Sequence, residues 1–212
     1  MKSTLLVVLS VLTLACGTPS VVGDAGFDAG AVAKFDTAVK ITNFLDAKTL
    51  TMEGANIPTY PNGFLQDLDL GASTQCYQKV VMKVASGSFA VTSDLGTMRG
   101  SDGGGAPGVG KLGSCDRLAK SNTVSFTSTA VLVENVKNNG ECFDFTITFI
   151  GFSQEGRGTI NADGSAVTLE LFFGGKAAKH RCADGNPGAT GVLVNGAAFT
   201  GNALQKYIVS ST

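Results

Sequence analysis

The sequence contains very few of the side chains on which most metal and redox sites depend. It has a single histidine, His180, and none of its five cysteines belongs to a Cys-x-x-Cys pair. Structural zinc sites are built from closely spaced cysteines, alone or with histidines, and thioredoxin-like redox sites contain a Cys-x-x-Cys pair. The sequence therefore predicts no metal site, and we expect no cofactor.

Charged residues are also scarce, and the two signs nearly balance. Sixteen Lys and Arg residues stand against 17 Asp and Glu residues, and the basic residues form no stripe along the chain. Because binding to nucleic acid depends on clustered positive charge, we expect no nucleic acid partner. Glycine is abundant instead, with 28 residues. A glycine-rich chain is expected to contain many turns, which is typical of an all-β protein rather than a helical bundle.

A recognisable catalytic constellation is missing as well. The sequence has no Gly-x-Ser-x-Gly nucleophile motif, and His180 is interpreted as a polar residue at the end of a strand. Glu155 and Glu170 are the remaining candidates, because two facing carboxylates can hydrolyse a glycosidic bond. The neighbouring Arg157 and Lys176 favour ordinary surface charges. We predict no enzyme activity, and an envelope hydrolase ranks third among the possible functions.

The one long apolar run lies at the N-terminus. Lys2 precedes residues 5–14, which are apolar apart from Ser10 and Thr13, and the small residue Ala15 follows them. A helix that spans a bilayer needs about 20 apolar residues, so this run is too short. Residues 1–15 are therefore predicted to be a cleaved export signal.

Residues 12–16 read Leu-Thr-Leu-Ala-Cys and resemble the lipobox of bacterial lipoproteins. The resemblance implies that the signal is removed before Cys16 and that this cysteine carries lipid, which anchors the protein to a membrane of the cell envelope. Gly17, in place of the Asp that retains such proteins at the inner membrane, favours the outer membrane. The alternative is an ordinary secretory signal with an incidental cysteine. Residues 16–30 then form a flexible Asp-Ala-Gly tether, and residues 31–212 form a single all-β domain.

Lipidation of Cys16 leaves four cysteines, and an even number in an exported chain predicts two disulfides. Four cysteines allow three pairings. The register of the hairpin described next brings Cys142 close to Cys182, so Cys76 is left to pair with Cys115.

The clearest strand pattern lies between residues 143 and 173. One apolar series alternates with polar residues before a turn at residues 161–164, and a second follows the turn. The two series are predicted to pair as a long antiparallel hairpin. The alternation slips at Gly151, and again near Gly174 and Gly175. We interpret this slip as a bulge that helps the sheet to curl.

Further strands are predicted at residues 48–53, 76–84, 88–98, 123–136, 191–194, 197–200 and 204–209, after a helical stretch within residues 31–45. About eight strands that mostly follow their neighbours predict an antiparallel up-and-down β-barrel with a short N-terminal helix. A β-sandwich is the alternative. The layout resembles that of lipocalins only in architecture, because the tryptophan usual near the first lipocalin strand is absent.

Two functions fit this reading. The first is a non-catalytic envelope lipoprotein that acts as a binding, structural or surface-interaction module toward an envelope protein. The alternative is a carrier of a small apolar molecule inside the barrel, although the pattern favours a filled core for the same apolar residues. The predicted lining residues are Phe143, Phe145, Ile147, Phe149, Val167, Leu169 and Leu171.

Overall fold

A computed structural model describes residues 34–59, 68–69, 76–100, 102, 104–172, 182–183, 193–198 and 204–211. The predicted export signal, the predicted lipidation site Cys16 and the predicted tether lie outside the described residues, as do His180, Gly174 and Gly175.

The described chain contains one α-helix and twelve strands. The helix is α1 (Ala38–Leu45), and short 3₁₀ turns occur at Gly54–Asn56 and Asn138–Gly140. The strands are β1 (Lys48–Glu53), β2 (Tyr77–Ala85), β3 (Ser88–Leu95), β4 (Thr97–Arg99), β5 (Ser114–Asp116), β6 (Asn122–Lys137), β7 (Cys142–Phe149), β8 (Phe152–Ile160), β9 (Ala166–Phe172), β10 (Leu193–Val194), β11 (Ala197–Ala198) and β12 (Leu204–Ser211).

Eight of these strands close into a barrel in the order β1, β12, β9, β8, β7, β6, β3, β2. Every pair is antiparallel, and each barrel strand pairs with the one that precedes it along the chain. The barrel closes where β12 meets β1, with Leu50 opposite Val209. This confirms the predicted up-and-down barrel and rules out a sandwich. β4 with β5, and β10 with β11, form two small separate hairpins.

The predicted pairing of residues 143–149 with residues 167–173 is wrong, because another strand lies between them. The chain turns at Ile150 and Gly151, and β8 runs back along β7 from there. β9 then pairs with β8 instead of β7. Gly151 is thus a turn residue rather than a bulge, and its φ of +90° is a conformation that glycine adopts without steric cost.

Glycines on β8 lie opposite phenylalanines on β7. Phe143 pairs with Gly158, and Phe145 pairs with Gly156. Both rings are buried, and a Cβ atom placed on either glycine would collide with the ring opposite it. An aromatic side chain that covers a cross-strand glycine compensates for the missing side chain there. These two pairs therefore fill the middle of the barrel at the end where β6 passes into β7.

Helix α1 covers that same end of the barrel. The Thr37 side chain caps the helix by accepting a backbone hydrogen bond in its first turn, at 3.2 Å, as is favourable at a helix N-terminus. Ile41 and Leu45 are the buried face of the helix. Just before it, the buried Phe35 donates its backbone N–H to Oδ1 of Asn139, in the β6–β7 connection, at 2.5 Å. The helix and its leading residues thus close the end where β6 passes into β7.

Two disulfides connect the predicted cysteine pairs. The Cα atoms of Cys76 and Cys115 are 5.3 Å apart, and those of Cys142 and Cys182 are 5.7 Å apart. The pairing is confirmed, but the register that suggested it is not, because β7 does not pair with the strand that precedes Cys182. Cys182 is held beside β7 instead by its backbone N–H, which donates to Oδ1 of Asp144 at 2.8 Å.

Candidate ligand-binding site

The two ends of the barrel interior are packed differently. At the end covered by α1, the side chains leave a void of only about 20 Å³, beside Leu45, Leu50 and Phe143. At the opposite end, the interior holds a cavity of about 160 Å³. The barrel is therefore filled at one end and hollow at the other, and the hollow end is the candidate site.

Side chains from seven of the eight barrel strands line this cavity. Most of them are apolar, and a smaller polar group lies among them. The apolar residues are Val80, Met82, Val91, Phe126, Ile147, Phe149, Phe152, Leu169 and Leu171, and the polar residues are Tyr77, Ser93, Gln154, Gln205 and Tyr207. This mixture, mostly apolar with a few fixed polar groups, is typical of small-molecule sites.

Three phenylalanines form an aromatic cluster in the wall of the cavity. The rings of Phe149 and Phe152 stack with their centroids 4.7 Å apart, and Phe126 meets them edge-on at 6.0 and 6.1 Å. Phe126 and Phe152 remain 45% and 50% exposed. The cluster forms because the β7–β8 turn places Phe149 opposite Phe152. It gives the cavity a partly exposed aromatic edge.

Two tyrosines and a glutamine form a buried hydrogen-bonded chain in the cavity wall. The hydroxyl of Tyr207 donates to Oε1 of Gln205 at 2.7 Å, and Nε2 of Gln205 donates to the hydroxyl of Tyr77 at 3.4 Å. Burial raises the pKa of Tyr77 well above its usual range and raises the pKa of Tyr207 as well, since a low-dielectric environment disfavours the charged form. Both hydroxyls therefore stay neutral at physiological pH.

The structure divides the seven predicted lining residues between the two ends. Four of them line the cavity: Ile147, Phe149, Leu169 and Leu171. Three do not line it and border the small void at the filled end: Phe143, Phe145 and Val167. The predicted inward face is thus real, but only the part of it farther from α1 borders open space.

Sequence reasoning missed the polar residues of the cavity. Ser93 lies two positions after the inward Val91, and Gln205 lies two positions before Tyr207, so both follow the inward alternation of their strands. A polar residue at such a position gives no hydrophobic signal of its own. Only an alternation extended through Val91 and Tyr207 would have indicated it.

The candidate carboxylate pair, Glu155 and Glu170, is not formed. The register places Glu170 opposite Arg157 and Glu155 opposite Phe172. Glu170 accepts a hydrogen bond from Nη2 of Arg157 and forms an ion pair with it. The carboxylate of Glu170 is therefore neutralised by the guanidinium of Arg157. It does not face the carboxylate of Glu155, as a pair of glycosidase carboxylates would.

A wider depression of about 720 Å³ lies at the glycine-rich loop of residues 100–113. Half of its lining residues are glycine, alanine or proline, and Asp102 and Lys111 supply opposite charges. Across the described ranges, no cluster of three or more His, Cys, Asp or Glu side chains is arranged to hold a metal ion. Most of its lining residues are exposed, so the depression lacks the burial of the barrel cavity.

Fold and cavity together define a class of protein: a small antiparallel β-barrel with one end closed by a helix and an apolar cavity at the other. Comparison of the chain with protein-family models, curated proteins and solved structures finds no match. No helix within the described part of the chain has the length and apolar character needed to cross a membrane.

Proposed function

We propose that this protein is a lipid-anchored protein of the bacterial cell envelope, at the outer membrane, that acts by binding rather than by catalysis. Its barrel takes up a small apolar ligand at the end away from α1. The contrast between about 160 Å³ of space at that end and about 20 Å³ at the other carries the proposal. Protein interiors are normally close-packed, and an unfilled cavity reduces stability. A ligand site gives the hollow end a function.

The size of the cavity limits the ligand. An apolar cavity of about 150 Å³ holds a benzene-sized molecule, and this cavity has about 160 Å³. Pockets for drug-sized molecules are larger, at roughly 300 Å³ or more. The ligand is therefore a molecule with one small ring, or the apolar end of a longer molecule that leaves the cavity beside the exposed rings of Phe126 and Phe152.

Replacing Val91 by Phe should block the cavity. Val91 lines it from β3, so the larger ring would occupy the space that the ligand needs. We expect the affinity for ethylbenzene to fall at least tenfold, an amount equivalent to about 1.4 kcal/mol, as measured by isothermal titration calorimetry on the mature chain carrying Cys16→Ser.

Thr92→Phe is the matched control, because Thr92 is the next residue of β3 and is exposed. It adds the same ring outside the barrel and should leave ethylbenzene binding unchanged. Equal affinities of the two variants would contradict an internal site. Failure of the unmodified cavity to bind ethylbenzene would favour a structural or protein-binding role instead.

The membrane anchor rests on the sequence of residues 12–16. Two or more acyl chains hold a protein on a membrane durably, whereas one gives only marginal binding. Cys16→Ser removes the sulfur that would carry the lipid, so the protein should move from the membrane pellet to the soluble fraction. Ultracentrifugation followed by immunoblotting measures this distribution. Thr18→Ala, two residues away, should stay in the pellet. Continued sedimentation of Cys16→Ser would refute the anchor.

A further inference from the structure

One serine hydroxyl that lines the cavity forms no hydrogen bond with the described chain. Ser93 is only 5% exposed and lines the cavity from β3. No hydrogen bond joins its hydroxyl to the residues that the structure describes, and its oxygen is not one of the fully enclosed atoms that lack a partner, so it is accessible from the cavity. A serine hydroxyl that no protein group occupies can form a hydrogen bond with a molecule inside the cavity.

We propose that the cavity is selective for a neutral ligand that carries one hydroxyl or carbonyl group on a small ring, and that Ser93 forms the hydrogen bond to that group. This inference rests on the proposed function and specifies the ligand of the same site. A serine hydroxyl both donates and accepts, so it pairs equally with an alcohol or a ketone.

The electrostatics of the wall disfavour a charged ligand. None of the described residues that line the cavity is Asp, Glu, Lys, Arg or His. Tyr77 and Tyr207 are held in their neutral forms by burial. A carboxylate or an ammonium group placed here would lose its hydration without gaining an opposite charge, which is strongly unfavourable.

The polar side of the cavity is also held in place. Tyr207 and Tyr77 bond the two ends of the Gln205 amide, and Nε2 of Gln154 donates to the backbone oxygens of Glu155 and Phe172. These amides are fixed by their own partners. Ser93 is therefore a polar lining group that can both donate to and accept from a ligand without breaking an existing bond, and a preorganised wall of this kind supports selectivity.

Four probes of similar size separate the possibilities: ethylbenzene, benzyl alcohol, benzoate and benzylammonium. Their affinities are measured by calorimetry on the mature chain carrying Cys16→Ser, with and without Ser93→Ala. We expect Ser93→Ala to lower the affinity for benzyl alcohol about three- to tenfold, the effect of one neutral hydrogen bond. The affinity for ethylbenzene should change by less than about twofold, because an apolar probe makes no such bond. Both charged probes should bind at least about a hundredfold more weakly than benzyl alcohol.

Ser125→Ala is the control, because Ser125 lies on β6 and is exposed. It should change none of the four affinities. The unliganded Ser93→Ala protein should also melt no lower than the parent, since removing a hydroxyl without a protein partner breaks no hydrogen bond within the chain. A clear drop in its melting temperature would show that the hydroxyl has a structural partner, and would overturn the assignment.

The remaining outcomes are equally decisive. If Ser93→Ala lowers the affinities for ethylbenzene and benzyl alcohol equally, the proposed selectivity is contradicted, although binding inside the barrel is not. The same holds if the affinity for benzoate or benzylammonium is within about tenfold of that for benzyl alcohol. If none of the four probes binds, the proposed function itself fails, and the selectivity fails with it.

Discussion

Phe143→Ala should lower the free energy of unfolding by about 3–5 kcal/mol, the range for loss of a fully buried aromatic side chain. Phe143 is 2% exposed at the filled end, where its ring covers Gly158. Phe149→Ala should cost only about 1 kcal/mol, because Phe149 is partly buried and already borders open space. Urea unfolding with the disulfides intact measures both values.

Leu132→Ala provides the control for this comparison. Leu132 is 52% exposed on β6, so its truncation should change the free energy of unfolding by less than about 0.5 kcal/mol. Similar losses for Phe143→Ala and Phe149→Ala would contradict the difference in packing between the two ends.

Gly158→Ala should also destabilise the barrel, by about 2–3 kcal/mol, because it adds an atom where no space remains. The new Cβ would lie 2.8 Å from Cε1 of Phe143 and closer still to the tip of the ring. Phe143 is buried and borders a void of only about 20 Å³, which is too small to take up the displaced ring. The effect is measured as the loss of free energy of unfolding in urea.

A second substitution tests whether the collision is the cause. Phe143→Leu shortens the opposing side chain, so the double variant should be less destabilised than the sum of the two single variants by about 1 kcal/mol. Gly105→Ala is the control, because a Cβ atom there has no neighbour within 4 Å. Additive effects of the two substitutions would show that the glycine matters for another reason.

The barrel was predictable because most of its strands show a clear apolar alternation in the sequence. β1, β2, β3, β6 and β12 lie close to their predicted ranges, and short turns between successive strands favour a meander that closes on itself. β8 was missed for a physical reason. Two of its inward positions are Gly156 and Gly158, so the apolar alternation that identifies a strand disappears where the β7 rings cover it.

The missing strand also explains the other errors. Without β8, residues 143–149 had to pair with the next apolar series, and that register set Glu155 against Glu170. With β8 in place, Arg157 lies opposite Glu170. The same wrong register brought Cys142 near Cys182, so that correct pairing was reached for a reason that the structure does not support.

The candidate site was predictable only in part. Alternation identifies which side chains face inward, but it does not say where the interior is filled. That depends on which end α1 covers, and on the phenylalanine–glycine pairs between β7 and β8, both of which are tertiary features. Ser93 and Gln205 were not predicted because a polar residue on an inward face leaves no hydrophobic signal.

Methyl-selective NMR during titration with ethylbenzene tests the central claim most directly, because it locates the ligand within the barrel. Binding at the hollow end should shift the methyl signals of Val91, Met82 and Leu171 and leave those of Leu50 and Val133, at the filled end, nearly unchanged. Shifts confined to exposed methyl groups such as those of Leu132 and Ile208, or no shifts at saturating ligand, would contradict a ligand site inside the barrel.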